Sequence, residues 1–184
     1  MEINFAKCSD VYGILKVQNE LLIKNLKAGD KKKNGFLVYS INKEQLLKVL
    51  ENYENIILCA IEKKKIVGYI LSYPLDEWIK IKKYWLERLG IIPSKFKILK
   101  KEKLIYLRHI GRDILSKGAG EKLLNFFIKE CKKRNFKYII CEILERPIKN
   151  ETSLNFFVNK FAFQRIGKIK YEDKTTWGVY LYKL

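Results

Sequence analysis

Ile110-Gly-Arg-Asp-Ile-Leu-Ser-Lys-Gly-Ala-Gly-Glu-Lys-Leu-Leu124 holds the transition on which the reading of this chain turns. The apolar run 103–110 predicts a strand, a short loop follows, and Gly118 opens a helix. Leu123, Leu124, Phe127, Ile128 and Cys131 fall on one stripe of that helix. Gly118 and Gly120 lack Cβ, so their backbone amides can come close to an anion. A helix start adds unsatisfied N–H donors and the positive end of the dipole. Strand, glycine turn and helix entrance together predict a cradle for a diphosphate, with Lys117 and Lys122 adding charge beside it. A tight turn with no ligand is the plainer reading of Gly-x-Gly taken alone. The fuller dinucleotide fingerprint is absent because position 123 is Leu, and no Walker A loop is present. Nicotinamide and nucleoside-triphosphate sites are thereby disfavoured.

Outward from this stretch, Glu2–Ala6 alternates as a strand. Ser9 and Asp10 are placed to cap a helix bearing Val11, Ile14, Leu15, Leu21 and Leu22, and Asn42–Leu50 forms a second helix. The strands 55–61 and 66–73 flank Lys-Lys-Lys as a hairpin, and Pro74 ends the second. Leu75–Leu89 reads as one amphipathic helix with Trp78, Ile81 and Trp85 on its apolar face, stopped by Gly90 and Pro93. After the 118 helix come a strand at 138–144, a short helix at 153–160, and a hairpin of 164–171 and 175–183 around Glu172-Asp173-Lys174. The order β-α-α-β-β-insertion-β-α-β-α-β-β predicts an α+β fold. Its sheet is mixed and largely antiparallel, of about seven strands with helices on both faces. The strand-helix-strand unit 103–144 supplies local parallel pairing. The expectation is a single domain over 1–184 with an insertion at about 75–102.

The chain has 184 residues, 48% of them hydrophobic and 13 Gly plus Pro, which excludes a disordered or fibrous class. No apolar run reaches the roughly 18 residues of a membrane span, and the N-terminus lacks a secretory pattern, so a cytoplasmic protein is expected. Four cysteines without a Cys-x-x-Cys pair, and His109 as the only histidine, complete no zinc pattern, so no metal is expected. The net charge of +18 suits an anionic partner such as nucleic acid, the ribosome or an anionic cofactor. The lysines are spread along the whole chain, and a solvated surface with no dedicated partner is the plainer reading.

The 110–124 stretch resembles the cofactor motif of the GNAT N-acetyltransferase superfamily, Val-x-Pro-x-x-(Gln/Arg)-Gly-x-Gly-x-(Gly/Ala). Ile110 falls at the Val position, Arg112 at Pro, Leu115 at Gln/Arg, Ser116 at Gly, and Gly118 and Gly120 at the last two glycine positions. The resemblance implies that Ile110, Gly111, Arg112 and the loop Leu115-Ser-Lys-Gly-Ala-Gly-Glu-Lys122 bind acetyl-CoA. Ala119 and Glu121 lie within that segment. Downstream, Asn150, Ser153, Phe157 and the run to Gly167 resemble the family's Asn-x-x-(Ser/Ala)…(Tyr/Phe)…Gly-Phe segment, with Ala162 where the family has Gly. The resemblance implies that Asn150 bonds the pantetheine amides and that Ser153 faces the cofactor. On the residues alone, Asn150 is also a helix cap. Asn34–Leu37, Ile66–Tyr69 and the last hairpin extend the resemblance over most of the chain.

What it implies is acetyl transfer from acetyl-CoA to a primary amine of a small molecule or a protein. Backbone N–H groups near Ile110 would stabilise the oxyanion. The family's Tyr acid falls on Phe157, or on Val158 if the segment's extra residue is placed earlier; neither side chain carries a proton to give, so Tyr180, Tyr182 or water remain as donors. Three candidates stand for the base. His109 has a suitable intrinsic pKa, or is a core histidine. Glu142 lies in an apolar strand, where burial would raise its pKa, or pairs with Arg108. Glu145 stands at the strand end. Trp78, Tyr84 and Trp85 of the insertion serve core packing, a homodimer contact or the wall of an acceptor pocket. A non-catalytic coenzyme A-binding module and a nucleic-acid- or ribosome-associated module are the competing classes.

Overall fold

The computed structural model describes residues 1–27, 29–31, 35–91, 98–99 and 101–184. Its strands are β1 (Glu2–Phe5), β2 (Ile56–Glu62), β3 (Lys65–Pro74), β4 (Leu89–Ile91), β5 (Leu104–Arg112), β6 (Tyr138–Arg146), β7 (Gln164–Lys170) and β8 (Thr176–Lys183). They follow the order β1-β2-β3-β5-β6-β8-β7-β4 in one hydrogen-bonded sheet. The β5–β6 pairing is parallel, and the β1–β2, β2–β3, β6–β8, β7–β8 and β4–β7 pairings are antiparallel. The helices are α1 (Val11–Leu21), α2 (Lys43–Glu51), α3 (Leu75–Ile81), α4 (Trp85–Arg88), α5 (Ala119–Lys133) and α6 (Glu151–Leu154), the last continued by a π-helix over Asn155–Lys160. The mixed, mostly antiparallel α+β sheet is the one the element order predicts. The chain divides into two compact units, 1–72 with 108–130 and 73–107 with 131–184.

In the first unit the β2–β3 hairpin turns through Lys63 and Lys64, both at positive φ (49° and 63°). Two left-handed turn residues match the twist of the flanking strands. Helix α2 starts on a reciprocal cap: Asn42 Oδ1 accepts from the Gln45 amide at 2.8 Å, and Gln45 Oε1 accepts from the Asn42 amide at 3.1 Å. Neighbouring residues of β3 point to opposite faces. A Cβ on Gly68 would stand 3.0 Å from Leu123 of α5, while a Cβ on Gly111 would stand 2.8 Å from the Tyr69 ring and 3.0 Å from Leu21 of α1. Helices therefore cover both faces of this unit. Ser9 and Asp10 form a 3₁₀ turn rather than a side-chain cap, and the Asp10 carboxylate accepts the Lys7 amide at 2.8 Å.

In the second unit β6 lies between β5 and β8, and the β7–β8 hairpin turns at Lys174 (φ 64°). The insertion departs from the single helix expected over Leu75–Leu89. Helix α3 ends where Lys82 leaves helical geometry (φ −118°, ψ 70°), α4 is a single turn, and the chain then forms β4, an eighth strand at the sheet edge. Gly90 lies inside that strand instead of ending a helix. The break still buries both Trp78 and Trp85, the former stacked on Tyr106 with ring centroids 4.3 Å apart. Asn34 and Pro93 lie outside the described residues, as does part of the insertion after Ile91. None of the four cysteines is in a disulfide, and of the four Cys8 alone is exposed. Among the described residues no helix is long and apolar enough to cross a membrane.

Candidate active site

Strand β5 ends at Arg112, and the loop to α5 is held by its own polar groups. The Asp113 amide donates to Val67 O at 2.8 Å, which fixes the loop's departure from β3. Asp113 Oδ1 accepts the Leu115 amide at 2.9 Å, and Asp113 O accepts the Ser116 amide at 3.1 Å. Arg112 Nη1 donates to the carbonyls of Asp113 and Ile114 at 3.1 and 3.0 Å, so this side chain braces the loop from within. Ser116 is buried, Leu115 is 87% exposed, and Lys117 and Lys122 are exposed.

Gly118 makes the turn into α5. Its φ is +79°, and a Cβ there would meet nothing within 4 Å. Backbone conformation, not crowding, is what calls for glycine at this position. The first bond of i→i−4 type runs from the Lys122 amide to Gly118 O at 3.0 Å. The Gly120 amide precedes it and has no acceptor inside the helix. Fifteen residues of α5 stand behind this entrance, enough for a full dipole. A turn with an exposed glycine at positive φ, a Gly120 amide without an acceptor inside the helix and two exposed lysines fits a diphosphate.

In the second unit Glu142 is partly buried on β6, the residue after the last β5–β6 pair, Leu107↔Cys141. Its Oε1 accepts from Trp85 Nε1 at 2.5 Å and from the Tyr106 hydroxyl at 2.9 Å, and its Oε2 accepts from the Tyr171 hydroxyl at 2.9 Å. Burial pushes the carboxyl above its ordinary range, while the three donors and the charge of Lys82 pull it back. The carboxylate thus sits in an aromatic wall with three neutral donors on it.

Glu145, at the bulge of the same strand, is built differently. Arg165 grips it with Nε at 2.8 Å and Nη2 at 2.9 Å, and the Tyr180 hydroxyl donates to it at 3.0 Å. The Arg165 fork holds Glu145 below the usual carboxylate range. Burial, with Glu145 beside it, pushes the Tyr180 phenol up to about 12. Glu142 pairs with Val179 across β6 and β8, so Tyr180 points to the opposite face from Glu142. The two candidates are not brought together.

His109 is buried, with its Nδ1 3.3 Å from the Tyr69 hydroxyl. Burial pulls the imidazole down to about 3, so it stays neutral at working pH. That is the placement of a packed core histidine, the alternative weighed against a basic role. Asn150 caps α6 through Oδ1, which accepts the Ser153 amide at 3.2 Å. Phe157 is buried in the π-helix, its ring 5.2 and 5.0 Å from those of Phe156 and Phe163. Tyr106, Tyr171, Asp113 and Arg165 are the residues that sequence reasoning did not single out, and Trp85 entered there only as packing, a dimer contact or a pocket wall. Only Tyr106 carried a signal, because it lies beside Ile140 in the parallel register and so shares the face of Glu142. Among the described residues no group of three or more His, Cys, Asp or Glu side chains can hold a metal ion.

No protein-family model matches the sequence, and no curated protein matches it. Solved structures do. Ard1 from Thermoplasma volcanium superposes with a TM-score of 0.68 at 11% identity, over 100% of this chain and 97% of that one. A ribosomal-protein-alanine N-acetyltransferase from Brucella melitensis gives 0.65 at 14% identity, with both chains fully covered. The PaiA N-acetyltransferase from Thermoplasma acidophilum, solved in complex with coenzyme A, gives 0.62 at 16%, over 100% and 98%. The chain has the fold of the GNAT N-acetyltransferases.

Proposed function

We propose that this chain is an N-acetyltransferase, a single catalytic domain that takes acetyl-CoA and acetylates a primary amine. The observation that carries the reading is the entrance of α5, where Gly118 at φ +79° leads from β5 into a long helix and the Gly120 amide has no acceptor inside the helix. The GNAT fold supports it, as does the coenzyme A bound to the PaiA neighbour. The amides at Gly118 and Gly120 would hold the diphosphate, the other loop amides being donated within the turn, and Lys117 and Lys122 would neutralise it. Ile110 and Gly111 would offer backbone donors to the thioester oxygen, which is worth perhaps 10²–10³ in rate. Bound acetyl-CoA supplies the acetyl group as an activated thioester. Asn150 and Ser153 are read as pantetheine contacts, and Phe157 as apolar backing.

Glu142 takes the base role in this reading, ahead of His109, because it is partly open and poised by neutral donors. It would accept the proton from the acceptor ammonium. Tyr180 gives its hydrogen to Glu145, so it is assigned to holding Glu145, and the proton for the departing thiol comes from solvent. The acceptor is a small molecule or a protein with a primary amine.

The test has two stages. Calorimetry with acetyl-CoA, NAD and ATP should show uptake of acetyl-CoA alone. Thiol release with a panel of peptide N-termini, lysines and small amines should then show turnover. Uptake without turnover on any amine would support a coenzyme A-binding module instead. No uptake would overturn the reading.

A further inference from the structure

The insertion is tied to the closing hairpin at two points. Strand β4 pairs with β7 from Leu89↔Ile169 to Ile91↔Gly167, and Arg88 forms an ion pair with Glu172. The same two elements supply donors to one carboxylate: Trp85 comes from the insertion, and Tyr171 from the end of β7. Tyr106, the third donor, is itself held by the stacked ring of Trp78.

We propose that Trp85 is a positioning residue: its Nε1–H fixes Glu142 Oε1 and favours the anionic form of the carboxyl. This rests on the reading of Glu142 as the base. An ionised carboxylate is acceptor-only and has room for about four donors. Three are filled here, two on Oε1 and one on Oε2, which leaves Oε2 room for a substrate ammonium. A protonated Glu142 would carry its hydrogen at that remaining Oε2 position, closing it to an ammonium, and its oxygens would accept more weakly from the three donors. The donors therefore favour the anion. The other titratable groups around Glu142 are Lys82 at the end of α3, the phenols of Tyr106 and Tyr171, and Cys141 beside it on β6. Lys82 favours the anion, so the pull of Trp85 is additional to that of a charge.

The experiment is a carboxyl ¹³C titration of the full chain labelled at glutamate, with the Glu142 resonance assigned through Glu142→Gln. In Trp85→Phe, which keeps an aromatic ring and loses the donor, the Glu142 midpoint should rise by about one pH unit. Benzothienylalanine at position 85 keeps the shape of the indole and replaces only its N–H, and it should give the same rise if Trp85→Phe fails to fold. A midpoint that stays in place when the N–H is removed overturns the proposal. The readout needs no turnover. If the midpoint moves and the pH–rate profile does not, Trp85 holds Glu142 as proposed and Glu142 is not the base.

Discussion

The Glu145 carboxylate occupies the space that a side chain on Gly178 would fill. A Cβ there would fall inside van der Waals contact with Glu145 Oε1 and stand 2.7 Å from Tyr180 Cε2. The bare Cα on β8 is what lets Arg165 and Tyr180 meet Glu145 at the bulge of β6.

Gly178→Ala should therefore displace Glu145 from the Arg165 fork. Overpacking of this kind costs roughly 1–3 kcal/mol. Urea unfolding measures it, and Glu145→Ala in the Gly178→Ala background should recover part of the loss. A variant as stable as the parent would mean that the strand moves aside freely.

His109 gives a pH dependence with a definite sign. Its folded-state pKa, about 3, lies below the unfolded value near 6.5, so the unfolded chain binds the proton first. Stability is full above about pH 6.5 and falls as pH drops toward the folded value. Between pH 7.5 and pH 5 the loss should be about 2 kcal/mol. His109→Gln, which still offers Tyr69 an acceptor, should remove most of that slope in urea titrations at the two pH values.

Gly118→Ala should destabilise the chain by about 1–2 kcal/mol, because φ is +79° and left-handed backbone is costly for a residue with Cβ. Gly118→Asn should cost less, since Asn tolerates this conformation and the space is open. If acetyl-CoA binds at this turn, its affinity by calorimetry should fall in the same order. Equal effects of Ala and Asn would point to crowding rather than conformation.

Glu142→Gln keeps the size of the side chain and removes its basicity. On the proposed mechanism kcat should fall by about 10²–10⁴. The rise of rate with pH, which follows ionisation of a carboxyl raised by burial, should disappear. A parent-like profile from the purified variant would remove Glu142 from the chemistry.

The order of strands and helices and the glycine turn at 118 were legible in the sequence because each is local. Periodicity marks a buried face, and glycine marks a left-handed turn. The insertion was legible only in part. Trp78 and Trp85 stand seven residues apart on one stripe, and one long helix satisfies that pattern as well as the break at Lys82 does. Strand β4 has only three residues and gains its partner from β7, far along the chain, so no local signal announces it.

The candidate site divides along the same line. The sequence by itself determined where a diphosphate cradle can form, because main-chain donors at a helix entrance depend on neighbouring residues alone. It placed Glu142 in an apolar strand and His109 beside the cradle, which left both open as bases. Only the tertiary structure showed how differently the two are surrounded. It buried His109 against Tyr69 and surrounded Glu142 with Trp85, Tyr106 and Tyr171. A carboxyl's proton affinity is set by the donors and solvent around it, and these come from residues 29 to 57 positions away in the chain.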